Sequence, residues 1–124
     1  MVLVDTSVWI DHLRSSNASL VHLLEQNLVT IHPMIIGELA CGNLRHRQQL
    51  LSLWQNLPHT TEASHQETLY CLEQNNLMGK GVGFIDLHLL ASTLLSPNTS
   101  LWTNDRRLQK IAKSLNIAWF WEHH

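Results

Sequence analysis

Apolar residues follow two rhythms along this chain, short unbroken runs and longer stretches in which they return every three or four positions. The first rhythm marks strands buried on both faces, the second helices with one face on a core. Val2-Leu3-Val4 is such a run and stops at Asp5; Thr6 and Ser7 then begin a helix, with Trp9, Ile10 and Leu13 along one face. A second helix is expected over 19–27, with Leu20, Leu23 and Leu24 inward, and Val29-Thr30-Ile31 reads as a short strand. Pro33 suits the first turn of a helix, where a missing N–H is no loss. That helix carries Ile35, Ile36, Leu39 and Ala40 to a stop at Gly42.

The helical period resumes over 45–57 with Leu50, Leu51, Leu53, Trp54 and Leu57, and Pro58 closes it. Ser64 and Glu67 have the spacing of a capping box, which predicts a helix over 64–76. Gly79, Gly81 and Gly83 make the next segment a loop. Leu87, Leu90, Ala91, Leu94 and Leu95 define another helical face, closed by Ser96-Pro97-Asn98. Leu101-Trp102-Thr103 reads as a buried strand, Asn104-Asp105 as the cap of a helix over 106–115, and Ile117 to Phe120 as a last strand. Short strands alternating with longer helices predict an α/β fold, a mostly parallel central sheet flanked by helices on both faces. Such sheets carry function just beyond the carboxyl ends of their strands, where Asp5 and Asp105 stand.

With 124 residues, 44% of them hydrophobic, the chain fits a single domain, expected over 1–122, with a core of its own. His123 and His124 form a short tail, either native or the remnant of a purification tag. No apolar run reaches the roughly 20 residues of a membrane span, and no basic leader with a cleavage site opens the chain, so a cytoplasmic protein with no membrane association is expected. Cys41 and Cys71 lie in apolar helical patterns and read as small core residues. His12, His22, His32, His46, His59, His65 and His88 lack the spacing of a zinc site and read as scattered surface histidines. The five tryptophans, Trp9, Trp54, Trp102, Trp119 and Trp121, read as core or interface residues.

Four of the ten acids sit beside or inside apolar segments: Asp5 after Val4, Glu38 before Leu39, Asp86 between Ile85 and Leu87, and Asp105 just after Leu101 to Thr103. Acids are rarely placed there for solubility. Each has a plain local reading, as caps for Asp86 and Asp105, a turn residue for Asp5 and a solvated helical position for Glu38. If instead they converge, two like charges about 5 Å apart repel by roughly 3 kcal/mol at an effective dielectric of about 20. Several such pairs need a cation or protons. All-oxygen ligation suits Mg²⁺, with Mn²⁺ as a substitute, and such sites bind phosphate oxygens, which makes phosphodiester hydrolysis the natural reaction class.

The same residues resemble the PIN domain family, specifically the VapC-type ribonuclease toxins of toxin–antitoxin pairs. Met1 to Ile10 with Asp5-Thr6-Ser7 is similar to the family's opening strand and first acid, and Ile36 to Gly42 to its glutamate helix. Gly83 to Ala91 around Asp86 resembles the third motif, and Leu101 to Leu108 around Asp105 the fourth, so the match spans nearly the whole chain as one PIN-like domain. Two departures stand out: Ser92 follows Ala91 where a second small apolar residue is usual, and the segment from Asp86 to Asp105 is short. The resemblance implies that Asp5, Asp86 and Asp105 bind Mg²⁺ directly or through water. It implies that Glu38 completes the site or orients the attacking water, and that Thr6, Ser7 and Thr103 support the carboxylates by hydrogen bonds. A homodimer and a VapB-type antitoxin, able to place a basic side chain among the acids, are implied as partners.

The net charge of −2 does not advertise nucleic-acid binding, yet without the four acids 8 basic residues face 6 acidic ones. Arg106, Arg107, Lys110 and Lys113 follow Asp105, while Arg45, Arg47 and Lys80 flank other motifs; they are either a solvated face or a rail for RNA phosphates. Lys80, Arg106 and Arg107 are the candidate RNA contacts, Lys80 foremost because it lies in the glycine loop before Asp86. Two other readings stay open. A non-catalytic protein-binding module would keep this fold without the chemistry, but would be expected to have lost an acid. A Mg²⁺-dependent phosphatase of the aspartyl-phosphate type would want a second Asp two residues after Asp5, where Ser7 stands.

Overall fold

The computed structural model describes residues 1–120; Trp121, the expected domain end at 122 and the tail 123–124 lie outside the described residues. Three strands form the sheet, β1 (Val2–Val4), β2 (Val29–Thr30) and β3 (Ser100–Trp102), in the order β2-β1-β3 and parallel throughout. Among the described residues there are seven helices, α1 (Thr6–Arg14), α2 (Ala18–Glu25), α3 (Pro33–Ala40), α4 (Arg47–Asn56), α5 (His65–Gln74), α6 (Phe84–Leu95) and α7 (Arg106–Ser114). Each predicted helix is present, shorter than predicted by one to three residues in most cases. Only the last strand fails as a strand: it is reduced to a single parallel bridge from Ala118 to Leu101. Three residues past α7, the chain has just room to bond across Leu101, whose N–H reaches Ile117 and whose carbonyl accepts from Trp119.

A second isolated bridge, Ile31 to His59, extends the other edge. From β1 the chain steps outward through β2 to His59, then crosses back to β3 and on towards Ala118. Parallel crossovers are right-handed, so steps in opposite directions put their helices on opposite faces. α1 to α4 therefore cover one face and α5 to α7 the other, in keeping with the packing of α3 on α1 and α4, and of α5 on α6. β1 is the centre of the core: Leu3 and Val4 are fully buried, with Trp9, Leu20, Ile35 and Trp54 on helices of one face and Leu89, Leu90 and Leu108 on helices of the other. Ile10 and Leu13, expected on the inward face of α1, are about two-fifths exposed, and Val8 is buried beside Trp9 instead. Among the described residues, no helix is long and apolar enough to cross a membrane.

The chain leaves β1 and β3, side by side, in opposite directions. That is the switch point of an open parallel sheet, where a crevice opens beyond the carboxyl ends of the strands.

Candidate active site

Asp5 follows β1 directly and is the N-cap residue of α1, but its side chain does not cap the helix. Its N–H is tied to the Trp102 carbonyl of β3 at 2.9 Å, and the residue is buried. The carboxylate is held from one side: Oδ2 accepts from Ser7 Oγ at 2.8 Å and from Thr103 Oγ1 at 2.7 Å. Both hydroxyls in turn accept a backbone N–H, Ser7 from Asn104 and Thr103 from Asp105, each at 3.0 Å. Both hydroxyl protons are thereby committed to Asp5. The 3.4 Å approach of the two hydroxyls is then a contact and not a bond.

Asp105 caps α7, its Oδ1 accepting the Leu108 N–H at 3.0 Å, so the plain reading of this residue as a cap is correct as far as it goes. Asp86 lies in the first turn of α6, behind the N-cap Gly83, with no capping bond of its own. Glu38 comes from α3 and is exposed, and its Oε1 accepts from Thr6 Oγ1 at 2.7 Å. Three of the four acids thus sit at helix N-termini, where the backbone's partial positive charge favours a carboxylate.

The four acids act on one another. The Asp86 carboxyl is pushed up from 3.8 to about 6, first by burial and then by the negative charges of Asp5, Asp105 and Glu38. Burial removes water that would solvate the anion, and each neighbour adds repulsion. Among the described residues, no three His, Cys, Asp or Glu side chains are already drawn together closely enough to hold an ion. Mg²⁺ keeps several of its waters, so a site for it does not need every carboxylate in direct contact.

Of the basic candidates, Lys80 and Arg107 line a common cleft with Lys110, whereas Arg106 is exposed outside that lining. Arg47 is not free for RNA: its guanidinium donates to the carbonyls of Ala40 at 2.7 Å and Gly42 at 3.2 Å, closing the end of α3. An apolar groove of about 310 Å³ between α5 and α6, walled by Tyr70, Cys71, Ala91, Leu94 and Leu95, contains none of the four acids.

Two histidines expected on the surface are buried. His32 is the N-cap of α3: its Nδ1 accepts the Met34 N–H at 3.1 Å, which leaves the proton on Nε2, 3.1 Å from Ser92 Oγ. His88 donates from Nδ1 to Thr68 Oγ1, whose own proton goes to the Ser64 carbonyl. Burial holds the His32 imidazole below its ordinary value, against an opposing pull from Glu62 and with lesser help from His88 and His59. Of the cysteines, Cys71 is buried as expected, but Cys41 is exposed at the end of α3.

The PIN domain model matches residues 2–114 of this chain, which takes in all four acids and every strand. The chain belongs to the PIN domain family. It is 41% identical over 118 residues to Ribonuclease VapC32 from each of two strains of Mycobacterium tuberculosis, covering 95% of this chain and 95% of theirs. That likeness makes it a VapC-type member, as the motifs implied. The crystal structure of PAE2754 from Pyrobaculum aerophilum superposes on it with a TM-score of 0.58 at 17% identity, over 92% of this chain and 85% of that one. At so low an identity the superposition speaks for the PIN fold alone.

Proposed function

We propose that this PIN domain protein is a metal-dependent endoribonuclease and the toxin half of a toxin–antitoxin pair, cutting RNA phosphodiester bonds at Asp5, Glu38, Asp86 and Asp105. The observation that carries this reading is the half-buried Asp86 carboxyl, pushed up to about 6 first by burial and then by the negative charges of Asp5, Asp105 and Glu38. Such a pocket holds more negative charge than it can stabilise alone, and the name of its relatives, ribonuclease, supports the same chemistry.

The donor set fits a hard divalent cation, Mg²⁺ or its substitute Mn²⁺. Asp5, Asp86 and Asp105 would hold it, directly or through water. When bound, such an ion acidifies water for attack and neutralises charge on the phosphate. The chain's own groups prepare for this. Ser7 and Thr103 bind Oδ2 of Asp5, so that Oδ1, with no hydrogen bond among the described residues, is the oxygen on offer. Asp105 commits Oδ1 to its helix and has Oδ2 to spare. Thr6 fixes Glu38 through Oε1, which leaves Oε2 to complete the site or to orient the attacking water. The N-termini of α1, α6 and α7 add partial positive charge that favours the anionic substrate.

RNA is the substrate, with Lys80, Arg106 and Arg107 as its candidate contacts, and a VapB-type antitoxin is the partner that restrains it. A homodimer is supported by exposed Leu69, Tyr70, Leu94 and Leu95 on α5 and α6, and sedimentation of the isolated chain as a monomer would refute it. The central test is incubation of wild type and Asp5→Asn with total RNA, with Mg²⁺ or with EDTA, followed by sequencing of the cut ends. Cuts that need both the metal and Asp5, while Asp5→Asn keeps its circular dichroism spectrum, are the expected result. No cuts by metal-loaded wild type would overturn the reading.

A further inference from the structure

Beyond the acids, the glycine loop and α7 enclose a cleft of about 340 Å³ that carries three cations. Lys80 enters from the loop, Arg107 and Lys110 from successive turns of α7, and Leu77 and Ile111 form an apolar floor. The cleft is of the size that binds small ligands, about 300–1,000 Å³. No acid lines it. None of the three cations has an ion pair or side-chain hydrogen bond among the described residues. Like charges brought together without a counter-ion are unfavourable, and the arrangement is relieved by an anion seated between them.

The loop passes close beside Arg107. Gly81 has φ near +80°, and a Cβ there would come within 2.9 Å of Arg107 Nη1 and 3.2 Å of its Cδ. The backbone of the loop therefore runs close beside the arginine side chain, and the positive φ is what favours glycine at this position. Gly79, at φ near +73°, makes the turn that delivers Lys80. Both walls of the cleft connect along the chain to acids of the site: Arg107, in the first turn of α7, is two residues past the N-cap Asp105, and the loop runs into the first turn of α6, which holds Asp86.

We infer that this cleft is a subsite for a phosphodiester of single-stranded RNA, gripped by Lys80, Arg107 and Lys110 beside the cutting centre. The inference rests on the ribonuclease reading and adds Lys110 to the RNA contacts while leaving Arg106 outside them. Arginine gives a planar two-point grip on phosphate, and the two lysines act as mobile point charges beside it.

The test is binding of a labelled single-stranded RNA oligonucleotide in EDTA, so that nothing is cut, over a series of salt concentrations. Each phosphate contact on single-stranded nucleic acid contributes about 0.7 to the slope of log affinity against log salt. Arg107→Gln with Lys110→Gln is expected to flatten that slope by roughly 1.4 and weaken binding at least about tenfold at moderate salt. Arg14→Gln, at the far end of α1, is expected to leave both unchanged. All three substituted side chains are exposed, so folding is not at stake. Wild-type affinity and slope retained in the double variant would overturn the subsite. Failure of wild type itself to bind or cut RNA would overturn the ribonuclease reading beneath it, a different and recognisable result.

Discussion

Ser92 stands where the family pattern has a second small apolar residue, and the structure gives the departure a purpose. Its buried hydroxyl faces His32 Nε2 at 3.1 Å and accepts the Ala63 N–H at 3.0 Å. The residue thereby ties α6, which carries Asp86, to the N-cap of α3, which carries Glu38. Ser92→Ala would leave two buried donors without a partner, and is expected to cost about 1–3 kcal/mol in chemical denaturation although the side chain only becomes smaller. None of this was legible beforehand, because a lone histidine or serine in a sequence looks the same buried or exposed. Asp86 is the opposite case, visible in sequence as an acid among apolar residues. In metal-free protein its carboxyl sits at about 6, above the 3.8 of an unfolded chain, so the folded state binds the extra proton. Its charge therefore works against folding, not at all below about pH 4, increasingly up to about pH 6, and fully above. Asp86→Asn is expected to stabilise the metal-free protein near neutral pH, with the gain vanishing towards about pH 4 in thermal melts. Equal melting of the two proteins at both pH values would contradict this.

Helix starts were more legible than helix ends. Ser64 and Glu67 form the capping box that their spacing predicts, with reciprocal bonds of 2.9 and 3.0 Å. The ends were overrun because the stop signal is asparagine instead of glycine. Asn27, Asn76 and Asn116 follow α2, α5 and α7 in the left-handed region, with φ of 57°, 52° and 60°. Around each, the next residue donates back to the helix, Leu28 to Leu23, Leu77 to Leu72 and Ile117 to Ala112, while the asparagine N–H reaches Leu24, Glu73 and Lys113 respectively. This paired closure satisfies carbonyls that would otherwise be orphaned, and after α5 and α7 it seats an apolar residue, Leu77 or Ile117, against the core. Asn76→Ala is expected to cost about 1 kcal/mol, since alanine lacks the short polar side chain that tolerates this conformation, and Asn76→Gly about nothing or a slight gain. Thermal melts of the two variants check the sign of each.

At the scale of the whole molecule, the alternation of strands and helices sufficed to predict a parallel sheet covered on both sides, because period and order are properties of sequence. Strand order is not: nothing local says that β1 lies between β2 and β3, and only that order brings Asp5 beside Asp105. The acids could be named individually, but their convergence depends on contacts as distant as Thr103 on Asp5, 98 residues apart. That span has a consequence for how the protein is made. A growing chain presents Asp5 and Glu38 long before Thr103 exists to grip the first of them, and β1 is without one of its two flanking strands until residues 100–102 have emerged. Non-local parallel pairing of this kind is slow as well as late. A chain stopped after Asn98 is thus expected to show unprotected amides in β1 by hydrogen exchange and no RNA cleavage. The nuclease, on this view, is harmless to the messenger that encodes it until its own translation is nearly finished.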